Sequence, residues 1–557
     1  MPKMTGARAF AEMLEGYGVS HIFFVPAVFA KALAEMEDMK IKRVLTHGEK
    51  AAAYMADGFA RASGKPGVCM AQAIGGSNLA AGLRDAYMAG SPVVAISGGP
   101  LPDWRFRHAY QEVEDFSQFD PVTKYNTACD SLVRIPDMVR QAFRAATTGA
   151  PGPVHLQIQG RGAHMAEQEA DLTIVIEKAF TKVPPFRPEP ETQHVRDVLA
   201  VIAKAKKPLV VAGGGIVRSG AERELVEFVE KLQIPVITSL NAKAAIADHH
   251  PLNVGVSGTY ARSCANKALA EADLVFFLGS SAGGMVTHGW QFPPPGTTVV
   301  QLNIDGAELG RNYPNAASIM GDAKVSLRKL IDLAEKKSPE AAKAWTGRVA
   351  ELVAEWRASE EPNLTSDAVP MRPERICREI SELLPKDGVV VSDTGHSGMW
   401  TGTMIELEHP TQRFFRCAGS LGWGFPGALG VKCALPDQAV VCFTGDGGFQ
   451  YHISELETAA RCGINLITVV NNNSSLNQEI TLNKVAYNNK PRGGWTDMWT
   501  FNDVNFAKIA DAYGCVGIRA ETPAEFREAF KKALTLNKPV VIDAVSDKEV
   551  LAKRVGH

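Results

Sequence analysis

Short apolar runs recur along the chain, each followed by a segment of helical period. Residues 93–97, 208–212, 235–239, 274–278, 299–302, 388–392, 440–444, 465–470 and 540–544 are strand-like. They are apolar nearly throughout, without polar alternation. A strand that is apolar on both faces is covered on both faces, as in parallel sheets sandwiched between helices. The pattern therefore predicts an α/β protein of doubly wound, mainly parallel sheets and excludes all-α and all-β folds.

Two stretches break the rhythm. One is KVPPFRPEPETQ, at 182–193, proline-rich and polar. The other spans 335–368, which is charged and mostly polar. Its opening, LAEKKSPEAAKAW, has helical character, but its tail SEEPNLTSDA reads as a linker. They divide the chain into three doubly wound domains at 1–180, 190–335 and 365–557. The first and third blocks share a pattern, in which a helix-like opening is followed by a strand and then a glycine-bearing turn. That similarity hints at two related sheets.

Composition narrows the function. The chain has 557 residues, 45% hydrophobic, with 59 Lys+Arg against 61 Asp+Glu. High apolar content with a net charge of -2 excludes disorder and argues against nucleic-acid binding, which needs a basic surface. No apolar run reaches the roughly 18–20 residues that span a bilayer. The start, MPKMTGARAFAEML, lacks the apolar core of a secretory signal, so a cytoplasmic location is expected. Nine scattered cysteines without a CxxC pair fit reduced thiols rather than a disulfide frame or a zinc site.

The segment AVVCFTGDGGFQYHISELETAARCGINLITVVNNNSS carries the clearest chemistry. A buried strand ends at Thr444, Gly445-Asp446-Gly447 turns, and a helix follows from about 452 to 461. A second strand ends at Val470, before Asn471-Asn472-Asn473. Both polar clusters fall at the carboxyl ends of parallel strands, where α/β sheets bind ligands. A carboxylate and an amide oxygen there form a hard-oxygen set suited to Mg²⁺ or Ca²⁺. Glycines beside them let backbone N–H groups approach phosphates.

Gly445-Asp446-Gly447 followed at this distance by Asn472-Asn473 resembles the thiamine-diphosphate motif of the acetolactate synthase, pyruvate oxidase and 2-hydroxyacyl-CoA lyase family. The resemblance runs through the whole chain in the family's order of pyrimidine-binding, middle and diphosphate-binding domains. It implies that Asp446, Asn473 and the Ser475 carbonyl bind Mg²⁺, which holds the cofactor diphosphate. Gly445, Gly447 and Gly448 fall in the same motif. SDTGHSGMW looks like the family's other diphosphate-side loop, with Gly395, His396 and Ser397 near the phosphates. FRCAGSLGWGFPGALG looks like the stretch gripping the aminopyrimidine. There Leu421 would wedge under the bent cofactor, and the Gly419 carbonyl would accept from the 4′-amino group.

Thiamine diphosphate must lose its C2 proton, which needs a proton donor at N1′. VLTHGEKAAAYMADGFARASGKPGV resembles the family's glutamate signature and makes Glu49 that group. In the family this residue reaches the partner subunit's cofactor, so the resemblance implies a homodimer or a homotetramer. PLVVAGGGIVRSGAERELVEFVEKLQIPVITS is strand, Gly213-Gly214-Gly215, helix and strand. Family middle domains of this kind hold FAD, ADP or CoA, or nothing, and all three stay open. Arg218 is a candidate phosphate contact.

Departures from the family bear on the reaction. Ala27 and Val28 replace a frequent glycine and polar residue. Gln72, Ala73, Ile74 and Gly75 stand where simple decarboxylases carry a His-His pair. Tyr110 and Gln111 fill the pocket positions of acetolactate synthases and oxalyl-CoA decarboxylases. SSLNQEITLNKVAYNN lacks the synthases' tryptophan but carries Glu479, where a family decarboxylase has a working glutamate. The expected enzyme is a carbon–carbon lyase or carboligase on a small 2-hydroxyacyl or 2-oxo substrate, with 2-hydroxyacyl-CoA lyase, acting on an acyl-CoA, its leading form. The alternatives are an acetolactate-synthase-like carboligase or a 2-oxoacid decarboxylase. A non-catalytic binding or regulatory subunit comes last, because Glu49, Asp446 and Asn473 are all present.

Overall fold

The computed structural model describes residues 3–26, 29–112, 116–159 and 164–553. Three six-stranded sheets carry the chain, and every strand pair within them is parallel. The first sheet runs, in spatial order, Lys42–Leu45, His21–Phe24, Gly67–Ala71, Val93–Gly99, Val154–Gln159 and Tyr125–Cys129. The third runs Arg413–Arg416, Val389–Ser392, Val440–Gly445, Ile467–Asn472, Val540–Val545 and Val516–Ala520. Counted within each sheet, both follow the order second, first, third, fourth, sixth, fifth. The hint of two related sheets thus has a topological counterpart.

The middle sheet runs Asn253–Val256, Val236–Thr238, Pro208–Ala212, Leu274–Leu278, Thr298–Asn303 and Ala317–Met320. Its order is that of dinucleotide-binding folds, which place ligands where the strand order reverses. A short antiparallel pair, Lys3–Thr5 with Glu169–Asp171, closes the first unit. The central strands are buried residue by residue, as continuous apolar runs require. All nine cysteines are free. Among the described residues, no helix is long and apolar enough to cross a membrane.

The structure corrects two expectations. The proposed linker tail SEEPNLTSDA begins inside a 26-residue helix, Pro339–Leu364. Ser338 caps it, and Ala342, Trp345, Val349, Leu352 and Trp356 bury one stripe against the sheets. Trp345 Nε1 donates to the Pro208 carbonyl at 2.8 Å. The polar residues between these positions masked a stripe of helical period. The second correction concerns the metal motif. The strand includes Gly445, and a helix, Asp446–Gln450, starts at once, followed by Glu455–Cys462. One helix from about 452 was expected.

The first and third units meet through two helices, Glu49–Ser63 and Gly424–Ala434. A Cβ on Gly58 would lie 2.0 Å from the Gly427 carbonyl oxygen, and one on Gly430 1.9 Å from that of Met55. Glycine is required at both positions because backbone meets backbone.

Candidate functional site

Strands Val440–Gly445 and Ile467–Asn472 are neighbours, with Gly445 opposite Asn471. Their carboxyl ends therefore set Asp446 and Asn473 side by side at the sheet edge. Asp446 is only 3% exposed. Its two oxygens accept from the Gly447 N–H and the Ser475 N–H, each at 2.9 Å. Ser475 Oγ donates to Asn473 Oδ1 at 2.8 Å, and Ser474 bends the loop with φ 53°. Burial pushes the Asp446 carboxyl up to about 7, and its N–H donors oppose that rise only in part. Among the described residues, no cationic side chain forms an ion pair with Asp446. The donor set is entirely oxygen, so it fits a hard divalent cation such as Mg²⁺. Asn472 plays another part, since its Nδ2 donates to Asp543 Oδ1 at 2.8 Å and to the Val504 carbonyl.

The second loop closes onto this edge. Gly395 adopts φ 66°, ψ −143°, a region open essentially to glycine, and precedes the helix His396–Met404. His396 Nδ1 lies 2.8 Å from Asn477 Oδ1. Ser397 is buried, with its Oγ 3.5 Å from where a Gly445 Cβ would sit. Gln478 Oε1 is buried, has no hydrogen-bond partner among the described residues and would lie 2.7 Å from a Cβ on Gly395. An orphaned polar atom facing this loop fits a polar ligand here. Gly447 and Gly448 have a packing role as well, since Cβ atoms there would strike Leu476 and Asp393.

Asp393 carries no distinctive signal in the sequence. Its carboxylate accepts from Gly422 N–H, Gly424 N–H and Thr444 Oγ1 at 3.1–3.2 Å, lacing the third loop to the sheet. Burial pushes it up to about 6. In that third loop Gly419 is exposed, and a Cβ on it would meet nothing within 4 Å. No donor among the described residues reaches its carbonyl. Leu421 is half-buried beside it. An open space with a free carbonyl on its edge fits a flat, amino-bearing ring.

Glu49 is the first residue of its helix, half-buried, and accepts from Asn78 Nδ2 at 3.1 Å. Gly75 leaves room for it, since a Cβ there would lie 2.5 Å from Glu49 Oε1. No hydrogen bond joins Glu49 to the loops around Gly395, Gly419 or Asp446 among the described residues. Tyr110 is 75% exposed, and Gln111 has φ 62° in the same irregular turn. Glu479 is half-buried at the end of the short turn Asn477–Glu479. Ala27 and Val28 lie outside the described residues.

In the middle unit, Gly213 caps the helix Gly214–Ser219 on a cavity of about 700 Å³. Gly215 and Gly279 approach backbone to backbone there. Arg218 lines the cavity from the last turn of that helix. Its Nη1 donates to the Ala89 carbonyl at 2.8 Å. Burial, and then the nearby Arg61 charge, lower Arg218 to about 10.

The chain matches three parts of the thiamine pyrophosphate enzymes: the N-terminal TPP binding domain over residues 4–119, the central domain over 195–330 and the C-terminal TPP binding domain over 393–544. A probable acetolactate synthase large subunit of Methanococcus aeolicus is 32% identical, covering 98% of this chain and 92% of that protein. One of Methanocaldococcus jannaschii is 31% identical with the same coverage. The acetolactate synthase of Mycobacterium bovis is 32% identical over 98% of this chain and 88% of its own length. Likeness on that scale, over loops whose oxygens and open spaces suit the cofactor, makes the chain a member of the thiamine-diphosphate-dependent enzymes that make and break carbon–carbon bonds.

Proposed function

We propose that the protein is a carboligase of the acetolactate synthase kind, condensing two 2-oxo acids with loss of one CO₂. The observation that carries this reading is the end-to-end likeness to acetolactate synthase large subunits. The expected leading form, a 2-hydroxyacyl-CoA lyase, finds no support among these relatives. When bound, thiamine diphosphate supplies the carbon that stabilises the negative charge left by decarboxylation.

The chain's own residues do the rest. Asp446, Asn473 and the Ser475 carbonyl would hold Mg²⁺, which would offset the buried Asp446 charge. Gly395, His396 and Ser397, with Gly445, Gly447 and Gly448, form the diphosphate side. Leu421 would support the cofactor, and the Gly419 carbonyl would accept from its amino group. Glu49, given by a second copy of the chain, holds the proton at N1′. Tyr110 and Gln111 line the substrate pocket, and Glu479 is placed to move a proton. The middle cavity takes a nucleotide, FAD in the synthase reading. Homodimers or homotetramers follow from the Glu49 assignment, the domain limits are 1–180, 190–335 and 365–557 with the helix Pro339–Leu364 between the last two, and free cysteines fit a cytoplasmic setting.

The test is product analysis by mass spectrometry, with Mg²⁺, thiamine diphosphate and either pyruvate or 2-hydroxyacyl-CoA esters. A condensed hydroxy-oxo acid from pyruvate is expected. Cleavage of the CoA esters without any condensation would replace the carboligase with the lyase. Asp446→Ala should lose cofactor binding by calorimetry while its circular dichroism stays unchanged.

A further inference from the structure

Beneath the loop at 418–420 lies a buried charged cluster supplied by the first sheet's helices. Asp57 and Arg61 stand one turn apart on Glu49–Ser63, and Asp85 lies on Gly75–Ala89. Both carboxylates are fully buried. Arg61 Nε donates to Asp57 Oδ1 at 2.8 Å, and its Nη2 reaches both Asp57 and Asp85, the latter at 2.9 Å. Two buried carboxyl groups share one guanidinium, so further donors are needed to satisfy them.

Backbone dipoles supply the balance. Asp85 accepts from the Ala418 N–H at 2.8 Å, the Gly419 N–H at 3.1 Å and the Ser420 N–H at 3.0 Å. Three consecutive N–H groups on one carboxylate form an anion nest in reverse, with the anion supplied by the protein. Asp57 instead accepts from Trp423 Nε1 at 2.9 Å and touches no N–H of the 418–420 loop.

We infer that Asp85 is a positioning residue for the cofactor, holding the 418–420 backbone so that the Gly419 carbonyl stands fixed at the aminopyrimidine. This rests on the thiamine-diphosphate reading above. The loop belongs to no helix or strand, and Gly419 leaves its backbone free to turn. Charge-assisted bonds, about twice as strong as neutral ones, therefore set its place. All three N–H groups reach Oδ2, while Oδ1 faces Arg61 Nη2, so Asp85→Asn removes the charge that strengthens the loop's bonds and turns an NH₂ group toward the Arg61 donor, which weakens the hold on the loop. A displacement of about 1 Å at a reacting group costs about 10²-fold in rate.

The test compares Asp85→Asn with Asp57→Asn in the full-length holoenzyme. Both turn a buried carboxyl of the same cluster into an amide, but only the first weakens the hold on the loop. C2–H exchange of bound cofactor in D₂O, read by quench and NMR, should slow about 10–100-fold in Asp85→Asn. It should stay within a few-fold of normal in Asp57→Asn. Cofactor affinity by calorimetry should change far less than the exchange rate in Asp85→Asn, and the 418–420 amides should exchange faster. Equal exchange slowing in both variants, or none in Asp85→Asn, overturns the inference. If Asp85→Asn does not fold, Asp85→Glu keeps the charge but shifts the oxygens, and the same outcomes decide. An unmodified protein that binds no thiamine diphosphate removes the functional reading, and this inference with it.

Discussion

His155 lies on the strand Val154–Gln159 of the first sheet, hydrogen-bonded to Ser97 Oγ at 2.7 Å and to Asn126 Oδ1 at 2.8 Å, and stacked on Phe119. It is fully buried, and burial pushes its pKa down to about 3. A depressed folded-state pKa contributes stability above the unfolded value, near 6.5, that is lost as pH falls toward 3. At pH 5 the unfolded imidazole is protonated and the folded one is not, so His155 alone should remove about 2 kcal/mol relative to pH 8. Denaturant unfolding of His155→Gln should show a weaker loss between those pH values, together with lower stability at pH 8. An unchanged pH slope would mean that other groups carry the acid sensitivity. Residues of this kind differ sharply in how legible they are in sequence. Asp446 and Asn473 are readable because adjacent strands deliver them to one edge. Asp85 and Asp393 are not. LRDAY reads as an ordinary helix, and the N–H groups that Asp85 holds lie 333 to 335 residues away. Only the docking of two units reveals them.

Among elements, the strands are legible because burial on both faces leaves no polar position to confuse the pattern. Their limits shift by one or two residues, as at Gly445, where the strand reaches the metal motif itself. The helix Pro339–Leu364 is half hidden because five apolar positions must be read across a charged background. The crossing of Glu49–Ser63 with Gly424–Ala434 is invisible, since a glycine in a helix signals weakness unless its neighbour is known. A methyl on Gly430 or Gly58 would strike a carbonyl, which no rotamer change relieves. Gly430→Ala should destabilise the protein by at least the ~1–3 kcal/mol typical of overpacking, and lower its unfolding midpoint. Gly347 is the control. It lies exposed inside Pro339–Leu364, where a Cβ would meet nothing. Gly347→Ala should raise stability by about 1 kcal/mol through helix propensity. Equal effects from the two substitutions in the same unfolding assay would dismiss the crossing as a constraint.

At the scale of the whole molecule, two sheets of one strand order face each other within a chain, and Glu49 stands at the rim of their contact. Its hydrogen bond goes to Asn78, on its own unit, not to the loops that would hold the cofactor. Among the described residues, a single chain thus has the loops proposed for the diphosphate and the carboxyl proposed as activator without a bond between them. In a symmetric dimer each chain gives Glu49 to the other's site, and two complete sites form. A hybrid of two variants separates this arrangement from its alternative. Glu49→Gln should be inactive for want of proton exchange at N1′, and Asp446→Ala for want of metal. Co-expressed with different tags and purified sequentially on both, the two chains form a hybrid. If Glu49 works across the interface, one site of the hybrid carries both substitutions and the other carries neither. Activity should then return to about half that of the unmodified dimer, although each parent is inert. If Glu49 serves its own chain, every site in the hybrid carries one defect, and the hybrid stays as inactive as its parents. Recovery also requires that each chain's fold tolerate its substitution, which the same hybrid reports through its yield. Full-length hybrid without activity would therefore move Glu49 into its own chain's site and withdraw the requirement for a dimer.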